Sequence, residues 1–400
     1  MTHYCRHCGS PLENEVLDLG HQPPSNSYLT DLQLDLPEKT YPLKVYICTC
    51  CWLMQLPAHA SAKELFTTDY AYFSSTSKSW CDHAKIYVNQ AIKRLNLDDT
   101  STVIEIASND GYLLQYMQER NIPCIGIEPT HATAQVSIEK GINTIEEFFG
   151  LSLAKDLPKA DLIIANNVLA HVPDINDFIS GIAYSLKDDG FASIEFPHLA
   201  NLIAYNQFDT IYHEHYSYLS LSFIRRLAAT VDLKVSDVEQ LTTHGGSVRV
   251  WLTKSKNSIS NSTTKADQYE ISLNLEDLSS YRSFQNQAEK VKMDLIRFLV
   301  EQYDLQKRVL GYGAAAKGNT LLNFAGIKPD LLPLIADNAL SKQGKYMPGS
   351  HIPIVSPEFI SLKDPDYILL LPWNLREEIT GLLRDQPIVT AIPHLRITNN

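Results

Sequence analysis

Two regions of the chain repeat a short apolar run, a tight turn and a helix-like stretch, and this rhythm limits the fold more than any other feature. In the first region the apolar runs are 102–107, 124–128, 161–167 and 191–196. In the second region a strand, a small-residue turn and a helix are expected within 308–322, and apolar runs follow at 331–337 and 366–373. Apolar runs that alternate with helices are typical of parallel sheets covered on both faces. The sequence therefore predicts an α/β chain with two doubly wound, Rossmann-like units, the second of them smaller.

The N-terminal residues form a different kind of unit, rich in turn residues and cysteine, with short strand-like runs such as 43–47. A unit of this size needs a disulfide or a bound metal ion to be stable. Two Cys-x-x-Cys pairs can each aim two thiolates at one point, which satisfies the tetrahedral preference of zinc. His7 and Cys50 are alternative ligands. The predicted closed, structural zinc site consists of Cys5, Cys8, Cys48 and Cys51.

These patterns divide the chain into three expected domains. A zinc-binding domain covers 1–65, and a central α/β domain covers 66–253, entered through a helical stretch at 79–95. The polar patch 254–265 is the expected boundary or mobile loop. A C-terminal α/β domain covers 254–400.

Bulk composition excludes several classes of protein. A net charge near -12 argues against general attraction to nucleic acid or to an anionic membrane, so an anionic ligand needs a local positive pocket. No apolar stretch is long enough to span a bilayer, and the first ten residues lack a secretory pattern. We expect a cytoplasmic enzyme whose oligomeric state, monomer or dimer, stays open.

A candidate cofactor loop follows the first central strand. Backbone N–H groups at such a turn can hold an anionic group, and an acidic residue about 20 positions later can accept hydrogen bonds from ribose hydroxyls. Glu128 fits the acidic position and disfavours a phosphorylated ribose, and a single glycine leaves little room for a pyrophosphate. These features favour S-adenosylmethionine over a dinucleotide, although an ordinary turn with a surface glutamate is the alternative. The turn residues are Glu105, Ala107, Asn109, Asp110 and Gly111.

A dense run of groups able to exchange protons near neutral pH lies at 212–216 and contains Tyr212, His213, Glu214 and His215. It predicts a catalytic site, and the alternatives are a metal site on the two histidines or a polar domain seam. His171 follows the third central strand, where ligand sites form. The run 243–250, with His244 beside two glycines, is either a ligand loop or a tight hairpin.

Taken in order, these motifs resemble a known family. The two Cys-x-x-Cys pairs, EIASNDGYLLQ, GIEP, NNVLAHVPD, FDTIYHEHYSYLS, THGGS, GYGAAAKGN and LPWN are similar to those of sugar C-methyltransferases that act on nucleoside-diphosphate keto sugars. The resemblance covers the chain from Cys5 to about Asn374. It implies a zinc unit, a central S-adenosylmethionine domain and a C-terminal domain, with the sugar nucleotide between the last two.

The resemblance also implies roles for residues. Asn166 joins the loop residues and Glu128 at the cofactor, and His215 is the base that forms an enolate on carbon 3, beside the ketone of a 4-keto-deoxysugar. Tyr212, Glu214 and His171 lie beside that base. The residues expected to contact the sugar nucleotide are Tyr70 or Tyr72, His244, Lys317 and Asn319, with Lys317 neutralising the diphosphate.

Two other functions remain open at this point. Methylation of a sugar oxygen or nitrogen needs a base but no ketone. An inert sugar-nucleotide binding protein on the same fold needs neither, but the complete cluster from Tyr212 to His215 argues against it.

Overall fold

A computed structural model describes residues 2–65, 73–255, 263–381 and 386–399, whose strands form sheets of four, seven and six strands. The smallest sheet begins in the N-terminal unit, where β1 and β2 are antiparallel and β3 pairs with β2. Side chains of β2 alternate between buried and half-buried, as expected for a strand with one face on a core. The elements of this unit are β1 (Asn14–Gln22), β2 (Tyr41–Ile47), β3 (Met54–Gln55) and α1 (Ala62–Leu65).

The central unit alternates strands and helices, as its apolar runs predict. Its elements are α2 (Lys78–Leu95), β4 (Val103–Ile106), α3 (Leu114–Gln118), β5 (Cys124–Ile127), α4 (His131–Glu139), β6 (Asn143–Ile145), α5 (Leu151–Ala154), β7 (Ala160–Asn166), α6 (Ile175–Ser185), β8 (Leu186–Pro197), α7 (Leu199–Ala204), β9 (Ser217–Tyr218), α8 (Leu221–Ala229), β10 (Lys234–Leu241) and β11 (Ser247–Thr253). The four predicted central strands are confirmed as β4, β5, β7 and β8.

The central sheet has the order β10-β11-β8-β7-β4-β5-β6. Strands β4 to β8 are parallel, and β11 is antiparallel to both β8 and β10. The chain runs outward from β4 to β6 and then returns to β7 on the other side of β4. The strand order therefore reverses between β4 and β7, and ligands bind outside the carboxyl ends of the strands at such a point.

Strand β9 leaves the central unit and completes the N-terminal sheet. Met54 of β3 pairs with Tyr218 of β9, and Gln55 pairs with Ser217, in antiparallel register. Because β9 begins two residues after His215, the proton-exchanging run at 212–216 is tied to the N-terminal unit at its carboxyl end.

The C-terminal unit repeats the α/β pattern with a smaller sheet of order β14-β13-β12-β15-β16-β17, parallel except for β17. The strand order reverses between β12 and β15, so a second crevice lies beyond their carboxyl ends. Its elements are α9 (Thr263–Ser272), α10 (Phe284–Asp304), β12 (Val309–Tyr312), α11 (Ala316–Ala325), β13 (Ile335–Ala336), β14 (Ile354–Val355), α12 (Glu358–Lys363), β15 (Tyr367–Leu370), α13 (Arg376–Thr380), β16 (Ile388–Thr390) and β17 (Arg396–Thr398). Most of the polar patch 254–265 lies outside the described residues.

The N-terminal and C-terminal units share buried side chains. Leu43 and Val45 of β2 lie in the same apolar cluster as Phe284 and Leu295 of α10 and Leu322 of α11. Removing such area from water is the main source of stability, so the units stabilise one another. None of the described helices combines the length and the apolar character needed to cross a membrane.

The four predicted zinc ligands converge. Cys5 Sγ lies 3.5 Å from Cys51 Sγ, Cys8 Sγ lies 3.5 Å from Cys48 Sγ, and all four sulfurs lie within 4.8 Å of one another. Four sulfurs around a zinc ion at about 2.3 Å are separated by about 3.8 Å, so the cluster fits a tetrahedral site. The alternative ligands do not join it, because His7 Nδ1 lies 2.7 Å from Asn176 Oδ1.

Local backbone structure explains this convergence. Each cysteine pair lies on a tight turn that the next residue closes: Gly9 N donates to Cys5 O at 2.9 Å, and Trp52 N donates to Cys48 O at 2.8 Å. Both closing residues have positive φ, a conformation that costs glycine little. The two turns face each other across the start and end of the N-terminal sheet.

We predict that Cys5→Ser lowers zinc content to a small fraction of the wild-type content. The melting temperature should fall by roughly 10 °C, because zinc binding contributes folding free energy to a unit with a small core. Atomic absorption and thermal unfolding measure the two effects. Cys50→Ser is the matched control, since this cysteine is exposed and outside the cluster. Normal zinc content in Cys5→Ser would contradict the assignment.

Candidate active site

The cofactor loop after β4 has an unusual backbone. Ala107 has φ of 56°, Asn109 has 50° and Gly111 has 74°. Positive φ is unfavourable for residues with a side chain, so the surroundings must hold the loop in this shape. A side chain at position 111 would also bring Cβ to 2.4 Å from Ile142 Cδ1. Glycine is therefore required there for steric and conformational reasons.

Hydrogen bonds from both sides hold the loop. Glu128, beyond the end of β5, accepts from Asn109 N at 3.0 Å and from Thr130 N at 2.9 Å. The Asn109 side chain accepts from Ser74 N at 2.8 Å, and the Asp110 carboxylate accepts from Ser75 Oγ. The candidate cofactor residues on the β4 and β5 loops are thus one connected group.

This group contains three neighbouring carboxyl groups. Burial raises the pKa of Glu105 well above its ordinary value, and the neighbouring Asp110 and Glu128 add to the effect. Within the described residues, Glu105 Oε2, Asp110 Oδ1 and Asn166 Oδ1 are buried and have no hydrogen-bond partner. Buried acceptors without a donor cost free energy until a ligand supplies one. S-adenosylmethionine, which carries a sulfonium, an ammonium group and ribose hydroxyls, fits these acceptors.

His215 lies between two partners that determine its tautomer. Its Nδ1 lies 2.8 Å from the backbone oxygen of Thr210, which can only accept, so Nδ1 carries the proton. Its Nε2 lies 2.9 Å from the Tyr212 hydroxyl. In the neutral imidazole Nε2 is therefore the basic nitrogen, and the tyrosine hydroxyl donates to it.

His171 completes this cluster from the loop after β7. Its ring centroid lies 4.6 Å from that of His215, in an edge-to-face arrangement. Burial lowers the pKa of His171 to about 4, although a hydrogen bond to the backbone oxygen of Glu214 opposes this effect. His171 is thus neutral at physiological pH, and its one N–H donates to the backbone oxygen of Glu214.

Glu214 and His213 of the run 212–216 point elsewhere. The Glu214 carboxylate faces Asn26 of the N-terminal unit. His213 Nε2 lies 3.2 Å from the backbone oxygen of Tyr41, so the two histidines of the run do not converge. Among the described residues, the four cysteines are the one group of three or more side chains spaced to hold a metal ion. The geometry disfavours a metal site on His213 and His215.

The crevice of the C-terminal sheet meets the central unit at Lys317. Its Nζ donates to Asn374 Oδ1 at 2.7 Å and lies 4.7 Å from the centroid of the Trp373 ring. Trp373 Nε1 in turn donates to the buried Asp209 carboxylate at 2.7 Å. Asn319 is fully buried nearby on α11, and neither of its amide atoms has a hydrogen-bond partner within the described part of the chain.

The loop at 243–246 joins β10 to β11 as a tight hairpin and also reaches the C-terminal unit. A side chain at Gly245 would bring Cβ to 2.5 Å from Trp373 Cη2. The loop is therefore a tight hairpin, and its contact with a ligand stays a prediction. The side chain of His244 lies outside the described part of the chain, as do Tyr70 and Tyr72.

Sequence patterns did not indicate several residues of this site. Thr210, Asp209 and Trp373 support the cluster through a backbone oxygen, a carboxylate and an indole N–H. Asp209 and Trp373 lie in the quoted motifs, but 164 positions separate them in the chain. Asn26 is separated from Glu214 by 188 positions and lies in no quoted motif. No local signal predicts such contacts.

Asp209 gives the folded state a distinctive pH dependence. Burial raises its pKa from 3.8 to about 6, although Lys317 and Trp373 oppose the shift. Because the folded pKa is the higher one, its contribution to stability is fully present below pH 4. That contribution is lost as the pH rises through about 6. The difference corresponds to roughly 3 kcal/mol at neutral pH.

We predict that Asp209→Asn, which keeps an acceptor for Trp373 and cannot ionise, loses about 2 kcal/mol less stability than wild type when the pH rises from 4.5 to 7.5. Urea unfolding at the two pH values measures this difference, in which other titrating groups cancel. Asp156→Asn, at an exposed position, is the control. A variant with the wild-type pH dependence would contradict the raised pKa.

Family models match three parts of the chain. Residues 5–66 match a model described as "Putative zinc binding domain", residues 82–238 match "Methyltransferase domain", and residues 242–387 match "C-methyltransferase C-terminal domain". Together with the cysteine geometry, the first match confirms the predicted zinc site. The other two confirm that the α/β units are those of a methyltransferase.

Solved methyltransferase structures resemble part of the chain. Solved structures such as magnesium protoporphyrin IX methyltransferase from Synechocystis PCC 6803 are similar at 14% identity, 44% coverage of this chain, 83% of that chain and a TM-score of 0.36. A possible histamine N-methyltransferase from Thermotoga maritima is 17% identical, with 47% of this chain and 98% of that chain covered and a TM-score of 0.36. Neither likeness bears on cofactor or substrate.

A curated relative is much closer in sequence. C-methyltransferase NovU of Streptomyces niveus is 33% identical over 384 residues, which cover 94% of this chain and 90% of that protein. A relation of this extent excludes an inert binding protein and favours carbon over oxygen or nitrogen as the methylated atom. The chain therefore belongs to the C-methyltransferase family, whose enzymes transfer a methyl group from S-adenosylmethionine to a carbon atom.

Proposed function

We propose that this enzyme methylates carbon 3, beside the ketone of a nucleoside-diphosphate 4-keto-deoxysugar, through an enolate formed by His215. The observation that carries the proposal is the fixed tautomer of His215, whose basic Nε2 is shared with the Tyr212 hydroxyl. Methyl transfer to carbon needs a carbanion, and a ketone is the group that makes an adjacent C–H acidic enough for an imidazole to remove.

Deprotonation uses the Tyr212 and His215 pair as one unit. Nε2 takes the proton from the carbon, either directly or through the tyrosine hydroxyl, which gives its own proton to Nε2 as it receives one from the substrate. In both routes the C–H electron pair moves into the enolate and the imidazole becomes an imidazolium. The Thr210 carbonyl stabilises that cation through the Nδ1–H hydrogen bond.

His171 packs against the base. It is buried and neutral, so its contact with the His215 ring does not repel the imidazolium, and the Glu214 backbone oxygen holds its one N–H. S-adenosylmethionine supplies an electrophilic methyl group when it is bound. The acidic group around Glu105 and Glu128 orients that cation beside the cluster, which supplies much of the acceleration by holding the reacting atoms close.

The nucleoside diphosphate suits the C-terminal crevice, between the proposed central (66–253) and C-terminal (254–400) domains. Lys317 is a half-buried cation at the first turn of α11, where backbone N–H groups favour anions. Its present partner is the neutral Asn374, so a diphosphate can compete for the ammonium. The buried side chain of Asn319 adds an amide nitrogen and an amide oxygen, neither of which has a hydrogen-bond partner among the described residues.

Incubation with a panel of nucleoside-diphosphate keto sugars and a labelled methyl donor tests this function. Mass spectrometry should detect one added methyl group bonded to carbon, in 4-keto-deoxysugars and not in the matching 4-hydroxy sugars. The same enzyme without donor should exchange the carbon-bound hydrogen with deuterated solvent. Methylation of the 4-hydroxy sugars would contradict the enolate route.

We predict that His215→Ala loses both methyl transfer and solvent exchange by roughly a thousand-fold, within the range of general-base contributions. Its affinity for S-adenosylmethionine, measured by calorimetry, should stay near that of wild type, because His215 belongs to the sugar side of the site. The exposed His394 provides the control variant His394→Ala. Full exchange activity in His215→Ala would remove this residue from the mechanism.

A further inference from the structure

Residues of the loop between β1 and β2 connect the N-terminal unit to the candidate active site. Tyr28 Oη donates to the backbone oxygen of Ala314 at 2.6 Å. Leu29 and Tyr346 exchange two backbone hydrogen bonds, of 3.0 and 2.8 Å. Tyr28 and Leu29 are both buried. These contacts dock the loop on the C-terminal unit and leave Asn26, two residues before Tyr28, in a defined position.

Asn26 faces the carboxylate of Glu214. Its Nδ2 lies 2.8 Å from Glu214 Oε1 and 2.7 Å from Oε2. The orientation of the amide follows from chemistry, because only its NH2 group can donate to a carboxylate. Glu214 is 2% exposed and lies one position before His215. Its backbone oxygen also accepts the hydrogen bond from His171.

We propose that Asn26 is a positioning residue of the active site, which holds Glu214 as an ionised carboxylate aimed to accept a hydroxyl of the bound sugar. This inference rests on the proposed function, because the sugar supplies the hydroxyl. An N–H that donates to a carboxylate favours the charged form, and a buried charge is stable only when hydrogen-bonded. The carboxylate keeps lone pairs for a further donor, and a sugar ring supplies such donors.

A neutral amide suits this task better than a cation. Titratable groups around the pair are Tyr28 on the same N-terminal loop, Lys342 and Asp337 on the C-terminal side, and His171 and Tyr216 on the central side. A lysine at position 26 would pair with Glu214 and compete with the sugar hydroxyl. An asparagine orients the carboxylate without adding a positive charge beside it.

The discriminating variant is Asn26→Asp, which places a second carboxylate against Glu214. Like charges at this distance share a proton until the pH is high. We expect kcat/KM for the keto sugar to fall by roughly 100-fold at pH 8, and the ratio of variant to wild-type kcat/KM to rise as the pH falls toward 6. At the lower pH the pair keeps one proton and carries the same charge as Glu214 alone.

Ser27→Asp is the matched control. It adds the same charge one position away, on an exposed side chain. Its kcat/KM should stay within about twofold of wild type at every pH, since screening weakens a surface charge. Zinc content, melting temperature and affinity for S-adenosylmethionine should be unchanged in both variants, which separates positioning from a folding defect.

Asn26→Ala provides a second test if the aspartate variant folds poorly. It removes the donor without adding charge, so kcat/KM should fall by roughly tenfold or more with no change in the pH profile of the ratio. Wild-type kcat/KM in both Asn26 variants, with an active wild-type enzyme, would overturn the role of Asn26. Failure of the wild type itself to methylate any keto sugar would overturn the proposed function, and this inference with it.

Discussion

The hydrogen bond between His215 Nδ1 and the Thr210 carbonyl is the contact on which the rest of the site depends. It leaves Nε2 as the basic atom and directs it toward Tyr212. Thr210 is itself held from the C-terminal side, because Trp373 donates to the adjacent Asp209 and Thr320 Oγ1 donates to Ile211 O at 2.9 Å. Contacts from both the central and the C-terminal unit therefore determine the tautomer of His215.

The distribution of charge matches the two proposed ligands, which have opposite signs. Glu105, Asp110 and Glu128 converge at the carboxyl ends of β4 and β5, the proposed site of the sulfonium cofactor. Lys317, at the other crevice, is the cation proposed to bind the anionic diphosphate. Its neighbour Asp209 has a pKa raised to about 6, so burial rather than ion pairing dominates that carboxylate. A net charge of -12 is therefore compatible with an anionic substrate.

The features that could be predicted from the sequence are those that residues close together in the chain determine. The apolar runs located β4, β5, β7 and β8 because parallel strands buried on both faces are predominantly apolar, and the cysteine spacing located the metal cluster because each pair lies on one turn. The contacts of Glu214 were not predictable. Its proximity to His215 suggested a catalytic neighbour, but its carboxylate faces Asn26, 188 positions away, and only the packed fold brings the two together.

The zinc cluster reaches the catalytic segment through one side chain. Gln55 Nε2 lies 3.1 Å from Cys5 Sγ, and the backbone of Gln55 pairs with Ser217, two residues after His215. Hydrogen bonds to metal ligands orient them and tune the metal, and here the same residue sets the register of β9. The N-terminal unit thus contacts the segment 212–218 at two points, with Asn26 against Glu214 and β3 against β9. It fixes the position of this segment, and a metal bound by the four cysteines would stabilise that position.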